Sequence, residues 1–357
     1  MGYRNLSAFL DDLESRGELV RIRERVSPRF EIAEIADRAV KSGGPALLFE
    51  NVDGSSMPVA INAFASDRRM LQALEISSYR EWEERLDFFL DPKPPEGLVG
   101  KLKALPRVTE LASVFPKTVR SGPCQEVVET GDAVDLSKLP VLTCWPQDGG
   151  PFITMPLVIT ADPASGKTNV GMYRMQVYDR KTTGMHWQKH KDGAGQARGY
   201  EREGRRMEVA VAIGCDPATV FSAVAPLPPG ASEFLFAGFL RGEAVPLVRG
   251  RTVDLLVPAE AEIVLEGFVE PGERRREGPF GDHTGFYSLD DDYPVFHVTC
   301  ITHRKNPIYA TTIVGPPPME DFYMGKAVER IFLPLMRLQL PEIRDISMPA
   351  EGIFHNL

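Results

Sequence analysis

Apolar positions recur every three or four residues at the start of the chain. Leu6, Phe9, Leu10 and Leu13 share one stripe, with Asn5 or Ser7 available as N-cap, and predict a helix over residues 5–16. Ile32, Ile35 and Ala36 mark a second helix over 30–39, and the helical period returns over 67–74 and 79–89. The short apolar runs between them, Glu18–Ile22, Pro45–Glu50 and Val59–Ala63, read as strands. The first hundred residues are thus an α/β mixture, bounded by Pro92–Gly100 (PKPPEGLVG), where proline and glycine interrupt any regular period.

From about residue 105 the pattern changes to short β-like runs between Gly, Pro and Asp turns. These are Cys124–Val128, Phe152–Ile159, Val170–Tyr178, Met207–Ile213, Ile263–Val269, Val295–His303 and Ile308–Val314. So many strands with one helix among them, Phe234–Leu240, predict an antiparallel sheet or barrel. Met319–Gln339 then carries the longest helical pattern, with a kink or break expected at Pro334. An apolar face left exposed on this helix predicts association with another copy. The boundaries expected are 1–104, 105–315 and 316–357, the last ending as if a further α/β unit were starting.

At 357 residues, 43% hydrophobic and 25% charged, the chain can bury a sizeable core in two or three compact units. A net charge of −9 and the absence of a Lys/Arg run argue against a nucleic-acid surface. Four scattered cysteines form no CxxC pair, which fits a reducing cytoplasm. No run is long and apolar enough to predict a membrane span.

Chemistry concentrates in Thr168–Asp192, TNVGMYRMQVYDRKTTGMHWQKHKD. His186 and His190 stand four apart, as in zinc helices, but Trp187 occupies the position where the HExxH motif has glutamate. If the segment is strand or loop, only one histidine need face a site. Asn169 alone reads equally as turn chemistry, and Glu233 as a complement to the start of the helix after it. Arg174 alternates with apolar neighbours, and a buried arginine needs an anion, internal or bound. Glu277 and Asp282 in EGPFGDHTG are candidate partners; the other reading of that loop is a surface turn with solvated acids.

The ordered set Asn169-x4-Arg174, Trp187-x2-His190, Ser232-Glu233 and Glu277-Gly-Pro-Phe-Gly-Asp282-His-Thr-Gly resembles the UbiD family of prenylated-flavin-dependent (de)carboxylases, the 4-hydroxy-3-polyprenylbenzoate decarboxylase type. The resemblance runs from the amino-terminal region to Leu357. It implies an α+β fold: an N-terminal α/β domain, a central split β-barrel of flavin-reductase type, and a long C-terminal linker helix. It also implies that the family's usual C-terminal domain is lacking here. By the same resemblance, Asn169, His190 and Glu233 hold Mn²⁺ or Mg²⁺, with K⁺ as a further cation. Met172, Tyr173, Arg174, His186, Trp187, Gln188 and Lys191 line prenylated FMN. Lys191-Asp192 stands where some members have Arg-Gly.

Arg174, Glu277 and Asp282 would then be catalytic. Arg174 holds the substrate carboxylate, Glu277 tunes Arg174, and Asp282 delivers the proton that replaces CO₂. That last role predicts an Asp282 pKa raised by burial and by Glu277. The implied activity is reversible, non-oxidative decarboxylation of an aromatic, hydroxybenzoate-like or α,β-unsaturated acid. A flavin prenyltransferase would supply the cofactor to a cytoplasmic homo-oligomer. The alternatives are a flavin-binding subunit of a larger carboxylase without activity of its own, and an ordinary FMN oxidoreductase on a split barrel.

Overall fold

The computed structural model describes residues 2–90, 112–228 and 230–353. The expected boundary at Pro92–Gly100 lies outside them. The first helix is Leu6–Ser15, and Asn5 caps it by accepting from the Ala8 amide at 2.9 Å. Its stripe of Leu6, Phe9, Leu10 and Leu13 is buried, as the period requires. Helices follow at Glu31–Lys41, Asp67–Ala73 and Tyr79–Leu90. Leu19–Val26 pairs in parallel with Ala46–Val52, which pairs antiparallel with Val59–Ile61. Tyr309–Ala310, from far along the chain, adds the fourth strand and stitches the two halves together.

The large sheet has seven strands. Six run in the order Thr182–Gly184, Asp291–His303, Ile263–Glu277, Met207–Ile213, Leu157–Ala161 and Thr168–Met172, and Val127–Thr130 pairs the end of Asp291–His303. Met207–Ile213 sits mid-sheet and is buried on both faces. Val209, Val211 and Ile213 enter one core, and Ala210 and Ala212 the other. That explains its near-continuous apolar run.

The expected split barrel is overturned. Among the described residues no sheet closes: the path ends at Thr182–Gly184 and Thr168–Met172, which do not pair. The physical reason is a break in the run read as one strand, Val170–Tyr178. Tyr173 and Arg174 leave the ladder, and Met175–Gln176 turns aside to pair with Phe152–Ile153 in a separate two-stranded sheet. Past the break the run meets Thr182–Gly184 only through an isolated bridge, Val177 with Thr183. The α+β content stands.

Asp192–Arg202 is a helix the hydrophobic period does not mark, because its glycines and polar residues blur the pattern. Glu233–Arg241 starts at Ser232, whose hydroxyl accepts from the Leu235 amide. Glu320–Gln339 is assigned as one helix through Pro334, without the expected break. Its apolar positions Ala327 and Ile331 are buried within the chain, in the core that also holds Trp82 of Tyr79–Leu90. Of the expected apolar face, Phe322 and Leu335 are only partly buried.

Candidate active site

Two groups of predicted residues assemble separately. The first is built where Arg174 leaves the large sheet. Its Nε donates to Glu277 Oε1 at 3.1 Å and a terminal nitrogen to Ser288 Oγ at 3.3 Å, while the guanidinium carbon lies 4.5 Å from the Phe280 ring centre. His186 Nδ1 sits 2.7 Å from the same Glu277 oxygen, and its ring stacks on Tyr293 at 4.2 Å. Glu277 is fully buried; its Oε2 has no hydrogen-bond partner. One carboxylate thus holds a guanidinium and an imidazole in a site shielded from water, where each contact is stronger than at a surface.

The loop after Glu277 is clamped from below by a turn that sequence reasoning passed over, Trp145–Gly150. Asp148 Oδ1 accepts from the Gly281 amide at 2.8 Å, and Oδ2 accepts from the Cys144 and Trp145 amides. Gln176 Oε1 accepts from the Gly278 amide, its Nε2 donates to Gly149 O, and the Gly149 amide donates to Pro279 O. A Cβ at Gly281 would fall 2.1 Å from the Trp145 ring, and one at Gly149 2.1 Å from Gly278 O. Only glycine permits that approach. The signal was present, since Asp148-Gly-Gly repeats the acid-plus-glycine composition of the loop it supports.

Asp282 does not behave as expected. Burial pushes its pKa up, but hydrogen bonds and charge from His283, with Arg174 nearby, hold it below the usual carboxylate range. His283 Nδ1 lies 2.6 Å from Asp282 Oδ1. The shift runs opposite to the expected rise because hydrogen bonds and charge from His283 outweigh burial.

The second group is Asn169, His190 and Glu233, which line two adjoining cavities of about 560 and 290 Å³. Asn169 lies on Thr168–Met172, His190 in the turn before Asp192–Arg202, and Glu233 at the first position of its helix. The segment between the histidines is not helical, so His186 and His190 part company: one meets Glu277, the other faces the cavities. Burial, with the Asp192 charge, pushes the Glu233 carboxyl up to about 7, and Asn169 Nδ2 is buried without a partner. Among the described residues no three His, Cys, Asp or Glu side chains form a metal-type cluster; this set has two, beside an amide. An amide oxygen, an imidazole nitrogen and a carboxylate that lacks a counter-charge suit a hard or borderline divalent cation with further oxygen ligands. Lys167, Lys189, Lys191 and Arg198 line the larger cavity and suit a phosphate beside it.

The predicted cofactor-lining residues divide. Met172, Tyr173 and Lys191 face the 290 Å³ cavity; Trp187 and Gln188 line another of about 330 Å³, which Tyr293 shares. Arg174 and His186 lie in the ion cluster described above. Tyr293, Ser288, Phe280 and Asp148 escaped sequence reasoning because only the paired strands Ile263–Glu277 and Asp291–His303 and the Trp145 turn bring them to Arg174.

Residues 10–87 match the 3-octaprenyl-4-hydroxybenzoate carboxy-lyase N-terminal domain, 117–317 the Rift-related domain and 322–357 the C-terminal domain of the same family. The C-terminal domain is therefore represented, which overturns the expectation that it is lacking. An uncharacterized protein of Archaeoglobus fulgidus is 55% identical over all of this chain and 73% of its own length. An evolved dimeric form of the UbiD-class enzyme HmfF from Pelotomaculum thermopropionicum, in complex with prFMN, superposes with a TM-score of 0.85. It is 31% identical over 98% of this chain and 77% of that one. The vanillic acid decarboxylase of Sedimentibacter hydroxybenzoicus in closed form gives 0.85 at 30% identity, over 98% of this chain and 72% of that one.

Proposed function

The chain belongs to the UbiD family of carboxy-lyases, and from that premise we propose which of its residues perform a prenylated-FMN-dependent decarboxylation, and how. The enzyme acts on a hydroxybenzoate-like aromatic or α,β-unsaturated acid. When bound, the prenylated flavin supplies the electron sink for the charge left on an sp² carbon as CO₂ departs.

Arg174 orients the substrate carboxylate. Glu277 and Ser288 fix the plane of its guanidinium, and Phe280 covers one face, so the arginine is positioned before substrate arrives. His186 shares the Glu277 oxygen and keeps that carboxylate in place. Asp282, on the same clamped loop, gives the proton that takes the place of CO₂. Asn169, His190 and Glu233 would hold Mn²⁺ or Mg²⁺, which brings the counter-charge that Glu233 lacks, and Lys191 meets the cofactor phosphate as a point charge. The observation that carries this reading is the buried Arg174–Glu277–His186 cluster at the base of the Asp282 loop.

The cofactor would come from a flavin prenyltransferase. Four buried, unpaired cysteines support a reducing, cytoplasmic setting. Among the described residues no helix is long and apolar enough to cross a membrane. A homo-oligomer remains the proposed assembly, to be checked by light scattering. Protein co-produced with a flavin prenyltransferase and kept anaerobic tests the function. Cofactor mass, bound metal and CO₂ release from 3,4-dihydroxybenzoate, vanillate and cinnamate are the readouts. Prenylated FMN with a divalent metal, both lost in Asn169→Ala, is the expected result. Folded protein with neither would sink the metal and cofactor assignments.

A further inference from the structure

Asp282 and His283 are adjacent in sequence, yet their side chains are bonded to each other. The His283 amide donates to Asp282 Oδ1 at 2.9 Å, and His283 Nδ1 lies 2.6 Å from the same oxygen. Both side chains keep about a quarter of their surface exposed, 24% and 27%. They are thus sheltered from water but not cut off from it. Among the described residues, charges reach His283 from Asp282 on its own loop, Asp321 at the start of Glu320–Gln339, and Arg174 on the segment that leaves the large sheet. The Asp282 carboxylate in direct contact with the ring, against a guanidinium itself engaged by Glu277, favours an imidazolium at this position, and Asp321 adds to this as it ionises. Trp145 links the helix approach to the loop, since its Nε1 donates to Val314 O at 2.7 Å while its ring lies under Gly281.

We propose that His283 stores the proton that Asp282 delivers. This rests on Asp282 being the proton donor of the proposed function. At rest Asp282 is a carboxylate and His283 an imidazolium. As the C–CO₂ bond breaks and CO₂ leaves, the proton passes from His283 Nδ1 to Asp282 and from Asp282 to the carbon. There it forms the new C–H bond with the electron pair the departing CO₂ left behind. Asp282 is again a carboxylate, beside a neutral imidazole, which takes its next proton from solvent. Carboxylation runs the same transfers in reverse.

The shifts agree with the geometry. The Asp282 hydrogen bond raises the His283 pKa, with further help from the Asp321 charge, while His283 holds Asp282 down. Burial pushes Asp321 up to about 7, eased by His283 and opposed by Glu320 and Asp282. A donor that is a carboxylate at neutral pH needs a neighbour that is not empty of protons, and this loop provides one.

The first test needs no cofactor. In the full chain labelled with ¹³C-histidine, the His283 ring signal should titrate above the ordinary midpoint of roughly 6.5. Asp282→Asn should lower that midpoint by about one pH unit or more, and Asp321→Asn by less. The second test uses the prenylated-FMN-loaded enzyme with 3,4-dihydroxybenzoate. His283→Asn should cut kcat about tenfold or more at pH 7.5 with KM little changed, and recover toward wild type as pH falls. His283→Gln serves as a second variant, with circular dichroism to establish folding.

A wild-type His283 midpoint at or below the ordinary value, or one indifferent to Asp282→Asn, overturns the proposal whatever the kinetics. If that coupling is present but Asp282→Asn retains full kcat, the proton-donor reading fails and takes this route with it. If Asp282→Asn is inactive while His283→Asn has an unchanged pH profile, the donor stands and the store is refuted.

Discussion

The two candidate regions are built on opposite plans. Around Arg174 every strong charge has an internal answer: Glu277 meets the guanidinium and the imidazole, Phe280 covers a face, and Ser288 takes a remaining donor. Around Asn169, His190 and Glu233 the charges are left open. A carboxylate is destabilised by burial, an amide is orphaned, and basic side chains ring a cavity. The first arrangement suits a site that must be rigid before its substrate arrives, because reorganising buried charges during the reaction would cost rate. The second suits a site completed by what it binds, because an unpaired buried polar group gains most from a ligand.

Substitutions can break that contrast. The largest expected effect is on the closed region's product: Asp282→Asn should lower kcat of the loaded enzyme by roughly 10²- to 10⁴-fold, read in single-turnover decarboxylation. Glu277→Ala should leave Arg174 without its carboxylate partner in a largely buried site and cost about 3–5 kcal/mol in urea unfolding. The open region should respond differently. Asn169→Ala should weaken Mn²⁺ binding by more than about tenfold in calorimetry, since even outer-shell partners are worth that much. Its apo stability should change far less than that of Glu277→Ala. An Asn169→Ala protein as unstable as the Glu277 variant would erase the distinction.

Acid and base sharpen it further. Asp282 is held below its ordinary pKa, so its contribution to stability is present above the unfolded value and lost as pH falls through the folded one. His283 is raised, so its contribution is full below the unfolded value near about 6.5 and is lost as pH rises through the folded one. The pair should therefore stabilise the fold most between roughly pH 4 and 6.5. Asp282→Asn should flatten the decline of unfolding free energy on the alkaline side, measured across pH 6.5 to 8.5. The smallest effect belongs to Lys191→Gln, where losing one exposed charge should weaken FMN binding by less than about fivefold.

Much of this was legible in the chain. The amphipathic stripe of residues 6–13, the helix after Ser232 and the near-continuous apolar run of Met207–Ile213 are local patterns, and local sterics and burial carry them into the structure. Part of each region was named as candidates, Arg174, Glu277 and Asp282 in one and Asn169, His190 and Glu233 in the other, from side-chain chemistry and the family resemblance. What spacing could not supply was partnership. Glu277 lies 103 residues from Arg174 and 91 from His186, and Asp148 lies 133 from Gly281. No periodicity encodes such contacts. The open sheet was hidden for a related reason: alternation predicts that Val170–Tyr178 is extended, but where that strand stops pairing is decided by Phe152–Ile153, a competing partner.

The sequence by itself therefore determined the secondary elements and the inventory of chemical groups, since both follow from the residues and their near neighbours. The tertiary structure alone decided which charges answer each other. It put His186 with Glu277 and left His190 to the cavity, and it set Asp282 Oδ1 against His283 Nδ1. Protonation and pairing depend on burial and on charges within a few ångströms, and only folding sets those.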